Sequence, residues 1–395
     1  MNSSKTPCVF PEKGLQAPME ELPDPFLKPD GTRVETEEDW SLQRKYLKDM
    51  LEFYLYGETP PAPVFTGAEI LSREECCSGK GLRETVEIYF GEAKPFSFRA
   101  EILRPASPGK YPVVTVNAFT GVYPCPIPEE VVERGYVLAF FEREQFAPDK
   151  ADAFREGICG RLYPAYSFRG FAMWAWGQSR LLDYLLTTDY ADPAGIVASG
   201  FSRGAKTALW AAARDERFAL CAPACGGCGG NGLFRFSGSR FGPGLGKYET
   251  LGYMLRPDRY WYWFNDRAAS FGNREGDCLR SREAYLPLDM HFARALVAPR
   301  PMLCTEGLDD GCCDPYGTQI AWRAAEEVYS FLGAAGKNAI HYREGGHDHN
   351  AEDWRVLLDF CDVMFRGAEK KTAYRLSEEG DPCLHFTWRA PSPRI

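Results

Sequence analysis

The feature that most constrains the fold is an alternation of short apolar runs with helix-length amphipathic segments from residue 112 to residue 365. Continuous apolar runs are typical of strands covered on both faces, as in a parallel sheet. We predict strands at 112–119, 135–141, 196–199, 218–223, 301–305 and 339–342. Helices are predicted at 171–186, 205–213, 318–332 and 351–365. This alternation predicts an α/β fold with a mainly parallel, twisted sheet and helices on both faces.

The residues before this alternation have a different character. Residues 1–40 are rich in Pro, Glu and Asp and predict an extended arm that lies on the domain. Residues 37–57 have apolar positions at helical spacing, which predicts an amphipathic helix whose apolar stripe is interrupted at Gln43. Alternating segments within 64–105 predict successive strands.

These patterns divide the chain into three parts. We predict an N-terminal arm and helix at 1–60, an α/β domain at 61–367 and a polar C-terminal tail at 368–395. Residues 226–285 are Gly-rich, aromatic and irregular, and they are too long for an ordinary connection. We interpret them as an insertion that builds a pocket.

The composition excludes several classes of protein. Apolar residues make up 45% of the 395 residues, which excludes intrinsic disorder, and the net charge of −9 repels polyanions, so no nucleic-acid partner is expected. No run of 18 apolar residues occurs, so no membrane span is predicted. The 14 cysteines, without an apolar signal segment at the start of the chain, predict free thiols in a reducing compartment and hence a cytoplasmic protein.

The segment Gly200-Phe201-Ser202-Arg203-Gly204 fits the pattern G-x-S-x-G. Its context is a predicted strand, a turn and a predicted helix, which is what a nucleophile elbow requires. The glycines relieve crowding in the sharp turn, and the helix that follows presents its N-terminus to a developing negative charge. Ser202 is therefore the candidate nucleophile, and a simple Gly-Ser turn is the alternative.

A serine hydroxyl needs a base to act as a nucleophile at neutral pH. In the α/β-hydrolase order the base follows the last strand, and His347 lies on a Gly-Gly loop directly after the predicted strand 339–342. His349 is its rival, whereas His341 lies within the strand and is expected in the core. His291 is expected to be a structural histidine near a helix.

The acid that orients the base should follow the penultimate strand, 301–305. Three aspartates compete there. The distance along the chain from the strand end favours Asp310. Asp314, before a proline, is expected to start the next helix, and Asp309 is expected to face solvent.

Two donors must stabilise the oxyanion. The backbone N–H of Arg203 is the first candidate, and the second should come from the loop at 119–121, after the strand at 112–119. The Arg203 side chain could add a fixed positive charge, and a surface salt bridge is the equally weighted alternative.

Several segments together resemble the glucuronoyl esterases of carbohydrate esterase family 15. They are the segments 175–185, 200–206, 262–266, 295–301, 345–348 and 352–354. The resemblance spans about residues 20–366. It implies a three-layer α/β/α hydrolase that cleaves the ester between 4-O-methylglucuronate on xylan and lignin alcohols.

The resemblance also implies individual roles. Ser202 would be the nucleophile and His347 the base, and the Arg203 side chain would complete the oxyanion hole. Lys206 would hydrogen-bond sugar hydroxyls, and Trp263 would contact the uronate.

Two positions and one segment depart from the family pattern. Cys225 stands where many members carry the triad glutamate, so the triad is complete only in the second arrangement of the family, which Asp310 matches. Phe201 stands where the fungal enzymes usually carry a disulfide-bonded cysteine. The insertion at 226–285 also diverges, so the resemblance carries less weight for the substrate.

Other functions compete with this hypothesis. Cys221, Cys225 and Cys228 have the spacing of an iron–sulfur motif, but that motif belongs on a loop after an early strand of a barrel, whereas Cys221 lies within a predicted strand deep in the chain. Cys312 and Cys313 could join as zinc ligands. An esterase for small acyl groups such as acetyl on xylo-oligosaccharides, and a catalytically silent carbohydrate-binding protein, are the remaining alternatives. We expect no metal and no cofactor, a carbohydrate ester as substrate, and an oligomeric state that the sequence leaves open.

Overall fold

The computed structural model describes residues 10–92, 95–237, 249–272, 282–374, 376 and 385–392. Its centre is a nine-stranded sheet with the order β1-β2-β3-β5-β4-β6-β7-β8-β9. The strands are β1 (Phe65–Cys76), β2 (Gly81–Phe90), β3 (Phe96–Pro105), β4 (Tyr111–Ala118), β5 (Val137–Glu142), β6 (Ala191–Phe201), β7 (Leu220–Ala224), β8 (Met302–Gly307) and β9 (Asn338–Arg343). Strands β1 to β3 pair antiparallel, β3 pairs antiparallel with β5, and β4 to β9 run parallel.

The α-helices connect and cover these strands. They are α1 (Glu37–Leu51), α2 (Pro128–Glu133), α3 (Ile158–Leu162), α4 (Gly170–Leu185), α5 (Arg203–Arg214), α6 (Leu251–Met254), α7 (His291–Val297), α8 (Pro315–Phe331) and α9 (Ala351–Arg366). A π-helical turn at Glu52–Tyr56 continues α1. Single 3₁₀ turns lie at Cys77–Gly79, Arg143–Gln145, Trp261–Trp263, Ala268–Ser270 and Glu283–Tyr285.

Two apolar cores lie on opposite faces of the sheet. Successive side chains of a strand point to opposite faces, and in β4 Val113 packs in the core formed with α4, α5 and α8, whereas Val114 packs in the core formed with α2 and α9. The predicted three-layer α/β/α architecture with a mainly parallel sheet is thereby confirmed.

The strands and helices agree with the predicted positions but differ at their ends. β6 extends to Phe201 and α5 begins at Arg203, so only Ser202 separates them. The short helix α2 was not predicted, because six residues carry too little periodicity. Gln43, expected to interrupt the apolar face of α1, is itself buried and donates hydrogen bonds to the carbonyl oxygens of Pro25 and Leu27.

The arm and the described end of the tail lie together on the domain. The indole Nε1 of Trp388 donates to the carbonyl of Leu22, and Phe26 packs edge-on against Trp388. His291 of α7 reaches the arm through Nε2, 2.9 Å from the Pro23 carbonyl, so it is the structural histidine that was expected.

The insertion at 226–285 is irregular where it is described. It contains an isolated bridge between Cys228 and Gly232, helix α6 and three of the 3₁₀ turns. Its segments 238–248 and 273–281 lie outside the described residues.

The eleven cysteines in the described ranges are all free thiols. Within those same ranges, the helices are too short or too polar to span a bilayer. The cytoplasmic localisation stays a prediction.

Candidate active site

Ser202 forms the sharp turn between β6 and α5. Its φ is 55°, in the left-handed region that side chains rarely adopt. The two motif glycines permit this turn. A Cβ at Gly200 would lie 2.3 Å from the Gly204 carbonyl oxygen, and one at Gly204 would lie 3.0 Å from Oδ1 of Asn117. The elbow therefore follows from the G-x-S-x-G sequence, as predicted.

His347 lies on the loop between β9 and α9, which turns at Gly345 with a φ of 89°. Its Nε2 is 2.9 Å from the Oγ of Ser202, and its Nδ1 is 2.8 Å from Oδ2 of Asp310. Burial lowers the pKa of His347, but the hydrogen bond and the charge of Asp310 outweigh burial and hold the pKa above 6.5. The imidazole is thus oriented by the carboxylate and faces the hydroxyl.

Asp310 follows β8 and is 1% exposed. Its Oδ1 accepts the backbone N–H groups of Cys312 and Cys313, both at 2.8 Å. Burial raises the pKa of this carboxyl, but the hydrogen bonds from His347 and these two amides outweigh burial, so the pKa lies below its usual value. The carboxylate is therefore ionised and fixed on both oxygens.

The competing aspartates have the positions expected for them. Asp309 is exposed. Asp314 caps the N-terminus of α8, where its carboxylate accepts the N–H of Tyr316.

The competing histidines also lie elsewhere. His341 is buried within β9. His349 stacks on Trp354 and on Phe201, and burial lowers its pKa to about 4. Among the described residues, neither the His341 ring nor the His349 ring forms a hydrogen bond with the Ser202 hydroxyl.

Arg203 begins α5 next to the nucleophile. Its Nη1 lies 2.7 Å from Oδ2 of Asp149, and its guanidinium lies 5.1 Å from the centre of the Trp263 ring. The side chain therefore forms a salt bridge, but with a buried partner beside the site. The second oxyanion donor was predicted in the loop at 119–121. In that loop the N–H of Gly121 already donates a hydrogen bond to the Glu142 carboxylate.

Asp149 is a site residue that the sequence did not indicate. Its carboxylate is 7% exposed and accepts hydrogen bonds from Arg203, Tyr262 and Trp263. A second guanidinium, that of Arg143, lies 3.5 Å away. Burial raises the pKa of Asp149, but the charge of Arg203 and these donors outweigh it and lower the pKa. No motif surrounds Asp149, so only tertiary contacts reveal it.

Lys206 and Trp263 are both buried. The Lys206 ammonium donates to the carbonyls of Gly226 and Cys228 and to the carboxylate of Glu249, at 2.6–2.8 Å. These three contacts use its three N–H groups. Trp263 is covered by the ring of Tyr260, which stacks on it at 4.0 Å. The contacts predicted for Lys206 and Trp263 with the substrate stay predictions.

The cysteine motif of an iron–sulfur cluster is not assembled. In the described part of the chain, two groups of three potential metal ligands occur, and neither includes Cys221 or Cys228. Cys221 lies in β7, and its thiol faces the Ala208 carbonyl of α5. Cys225 follows β7 with a φ of 48° and places its thiol 3.4 Å from the Asp348 carbonyl.

A cavity of about 330 Å³ lies beside the Phe201 ring. Phe119, Val122, Tyr123 and Phe201 give it a mainly apolar wall. The Phe201 ring is 4.7 Å from the imidazole of His347, so the cavity adjoins the base.

The chain is similar to known esterases. The family model described as glucuronyl esterase, fungi, matches residues 88–333. A carbohydrate esterase from an unknown prokaryotic organism is 28% identical, over 92% of this chain and 94% of its own. The 4-O-methyl-glucuronoyl methylesterase of Schizophyllum commune is 30% identical, over 89% and 84%.

The solved structures agree with these relatives. The carbohydrate esterase family 15 glucuronoyl esterase from Caldicellulosiruptor kristjansonii superposes with a TM-score of 0.77 at 30% identity, covering 95% of this chain and 98% of its own. Since the family model matches more than half of the chain and these relatives match nearly its whole length, the chain belongs to the glucuronoyl esterase family.

Proposed function

We propose that this protein is a serine carboxylic-ester hydrolase that cleaves the ester of a 4-O-methylglucuronate unit with an alcohol. One observation carries the proposal: a hydroxyl, an imidazole and a carboxylate are aligned at 2.9 and 2.8 Å. The substrate class is supported by membership of the glucuronoyl esterase family and by relatives named 4-O-methyl-glucuronoyl methylesterases.

In the first step, the Ser202 oxygen attacks the ester carbonyl while Nε2 of His347 accepts its proton. The imidazolium that forms is stabilised by the Asp310 carboxylate at its Nδ1. The negative charge on the carbonyl oxygen is stabilised by the N-terminus of α5 and by the Arg203 guanidinium, which Asp149 holds in place.

In the second half of the first step, Nε2 of His347 protonates the alcohol oxygen, the carbon–oxygen bond breaks, and the acyl group remains on Ser202. The leaving oxygen is then next to the imidazole. Water repeats the sequence on the acyl-enzyme, with His347 as base, and releases the uronic acid.

The test uses three esters with the wild type and with Ser202→Ala. We expect methyl and benzyl esters of glucuronate to be hydrolysed, acetylated xylo-oligosaccharides to react far more slowly, and the variant to lose at least about 10⁴-fold in kcat. A protein that cleaves only the acetyl esters, or a variant that keeps its activity, would contradict the proposal.

A further inference from the structure

Two adjacent cysteines lie against the histidine of the proposed triad. The Sγ atoms of Cys312 and Cys313 and a ring nitrogen of His347 all lie within 4.8 Å of one another. The measured distance from Cys313 Sγ to His347 Nδ1 is 3.7 Å. The proposed hydrolysis uses His347 but neither thiol, so the two cysteines have no role in the reaction.

Two thiolates and one imidazole are a ligand set for soft d¹⁰ cations. Zn²⁺ binds sulfur at about 2.3 Å and nitrogen at about 2.0–2.1 Å in tetrahedral sites. Bonds of these lengths at the tetrahedral angle place sulfur and nitrogen about 3.5 Å apart and two sulfurs about 3.8 Å apart. The observed 3.7 Å between Cys313 and His347 is already close to that geometry.

A cation could reach this cluster from solvent. The Cys312 side chain is half-buried, and the His347 side chain is 28% exposed. Metal binding would release the thiol protons of Cys312 and Cys313 to solvent.

We propose that Cys312, Cys313 and His347 form a binding site for a thiophilic divalent cation such as Zn²⁺ or Cd²⁺, and that the bound cation inhibits the enzyme. The inhibition rests on the proposed esterase activity, whereas the binding does not. A cation on Nδ1 would replace the hydrogen bond of 2.8 Å that this nitrogen now makes with Asp310.

Inhibition follows from a change in which nitrogen of the imidazole carries the proton. A neutral imidazole carries one proton, now directed from Nδ1 to Asp310. A cation on Nδ1 moves that proton to Nε2, so Nε2 becomes a donor and no longer accepts the proton of Ser202. Hard cations such as Mg²⁺ prefer oxygen ligands and should have no such effect.

The chain supplies its own control. Cys76 and Cys77 form a second adjacent pair, with their sulfurs 3.7 Å apart, at the end of β1. Neither belongs to a group of three potential metal ligands among the described residues. This pair therefore offers two thiols without the histidine.

The experiment titrates the reduced full-length protein with Cd²⁺ and follows two signals. The first is the ultraviolet absorbance of sulfur–cadmium bonds. The second is esterase activity, expressed for each variant as the ratio with and without metal, which cancels any change in basal rate. The proteins are the wild type, Cys312→Ser with Cys313→Ser, Cys76→Ser with Cys77→Ser, and His347→Gln for absorbance alone.

We expect the wild type and the Cys76/Cys77 variant to bind Cd²⁺ and to lose activity in proportion, with recovery after EDTA. Loss of an outer-shell partner lowers metal affinity by roughly 10–100-fold. The Cys312/Cys313 variant should lose more Cd²⁺ affinity than that, and its activity should resist inhibition. His347→Gln should weaken the absorbance signal.

The opposite pattern overturns the proposal. Equal binding by the Cys312/Cys313 variant would show that the cation binds elsewhere, and binding without any inhibition would refute the effect on Nε2. If no ester is hydrolysed at all, the absorbance titration still decides the binding, so failure of the proposed function is distinguishable from failure of the metal site.

Discussion

Replacing Asp310 with asparagine should move the proton of the neutral His347 ring from Nδ1 to Nε2 without disturbing the backbone. In the wild type, Oδ1 accepts two backbone N–H groups and Oδ2 faces Nδ1 of His347. The two amides hold the carbonyl oxygen of an asparagine in the Oδ1 position, because the NH₂ group cannot accept them. The NH₂ group then faces Nδ1 and donates to it.

This change of tautomer should lower kcat by a predictable factor. A ring that accepts at Nδ1 carries its proton on Nε2, so it cannot act as base toward Ser202, 2.9 Å away. In the serine-protease template the corresponding change costs about 10⁴ in turnover. We expect Asp310→Asn to lower kcat by about 10³–10⁴-fold, which corresponds to about 4–5.5 kcal/mol in the activation barrier.

The assay is steady-state hydrolysis of methyl glucuronate, with thermal unfolding as the test of folding. Asp309→Asn is the matched control, since that side chain is exposed and one residue away. Asp314→Asn is a second control, because asparagine caps helices as well as aspartate does. If Asp310→Asn stays within tenfold of the wild type while Asp309→Asn is inactive, the assignment of the acid is wrong.

Three further perturbations test the site. The kcat/KM of the wild type should fall as the pH is lowered through a pKa above 6.5, because the Asp310 contact raises the pKa of His347 and only the neutral ring is a base. Asp149→Asn should lower kcat by up to roughly 10²-fold by loosening Arg203, and should cost about 3 kcal/mol of stability by leaving buried guanidinium charge unpaired. Gly200→Ala should destabilise the fold by at least about 3 kcal/mol, measured by denaturant unfolding, because its Cβ meets a backbone oxygen at 2.3 Å.

The pH prediction has a refuting result, and the two substitutions have matched control variants. A pH midpoint below 6.5 would contradict the raised pKa of His347. Asp152→Asn changes an exposed carboxylate near Asp149 and should be silent, so equal losses in both variants would remove the role given to Asp149. Gly311→Ala adds a Cβ with no atom within 4 Å, and it should unfold at nearly the wild-type denaturant concentration.

The sheet and the Ser–His–Asp alignment could be predicted because both depend on local patterns in chain order. Apolar runs predict the parallel strands, and the carboxyl ends of parallel strands meet at one edge of the sheet. Ser202, His347 and Asp310 each follow such an end. The sequence could only rank Asp310 above its neighbours, because the direction of each carboxylate depends on the turn after β8.

The environment of the site could not be predicted, because it depends on tertiary contacts. Asp149 lies more than fifty residues before Ser202, in a loop without a motif. Lys206 occupies the first turn of α5, where a solvated side chain is the ordinary expectation. It is buried because the insertion brings the carbonyls of Gly226 and Cys228 over that turn.

The charges around Arg203 suit the transition state of ester hydrolysis better than its substrate. Arg143 and Arg203 carry two positive charges against the single negative charge of Asp149, so these three groups leave one positive charge near Ser202. An ester is neutral and gains little from that charge, whereas the tetrahedral intermediate carries a full negative charge on oxygen. Because only interactions that strengthen in the transition state raise kcat, a guanidinium held in place by a buried carboxylate is more useful here than a mobile one. Asp149 therefore contributes to rate by fixing the position of a charge, and the net positive charge remains because one carboxylate serves two guanidiniums.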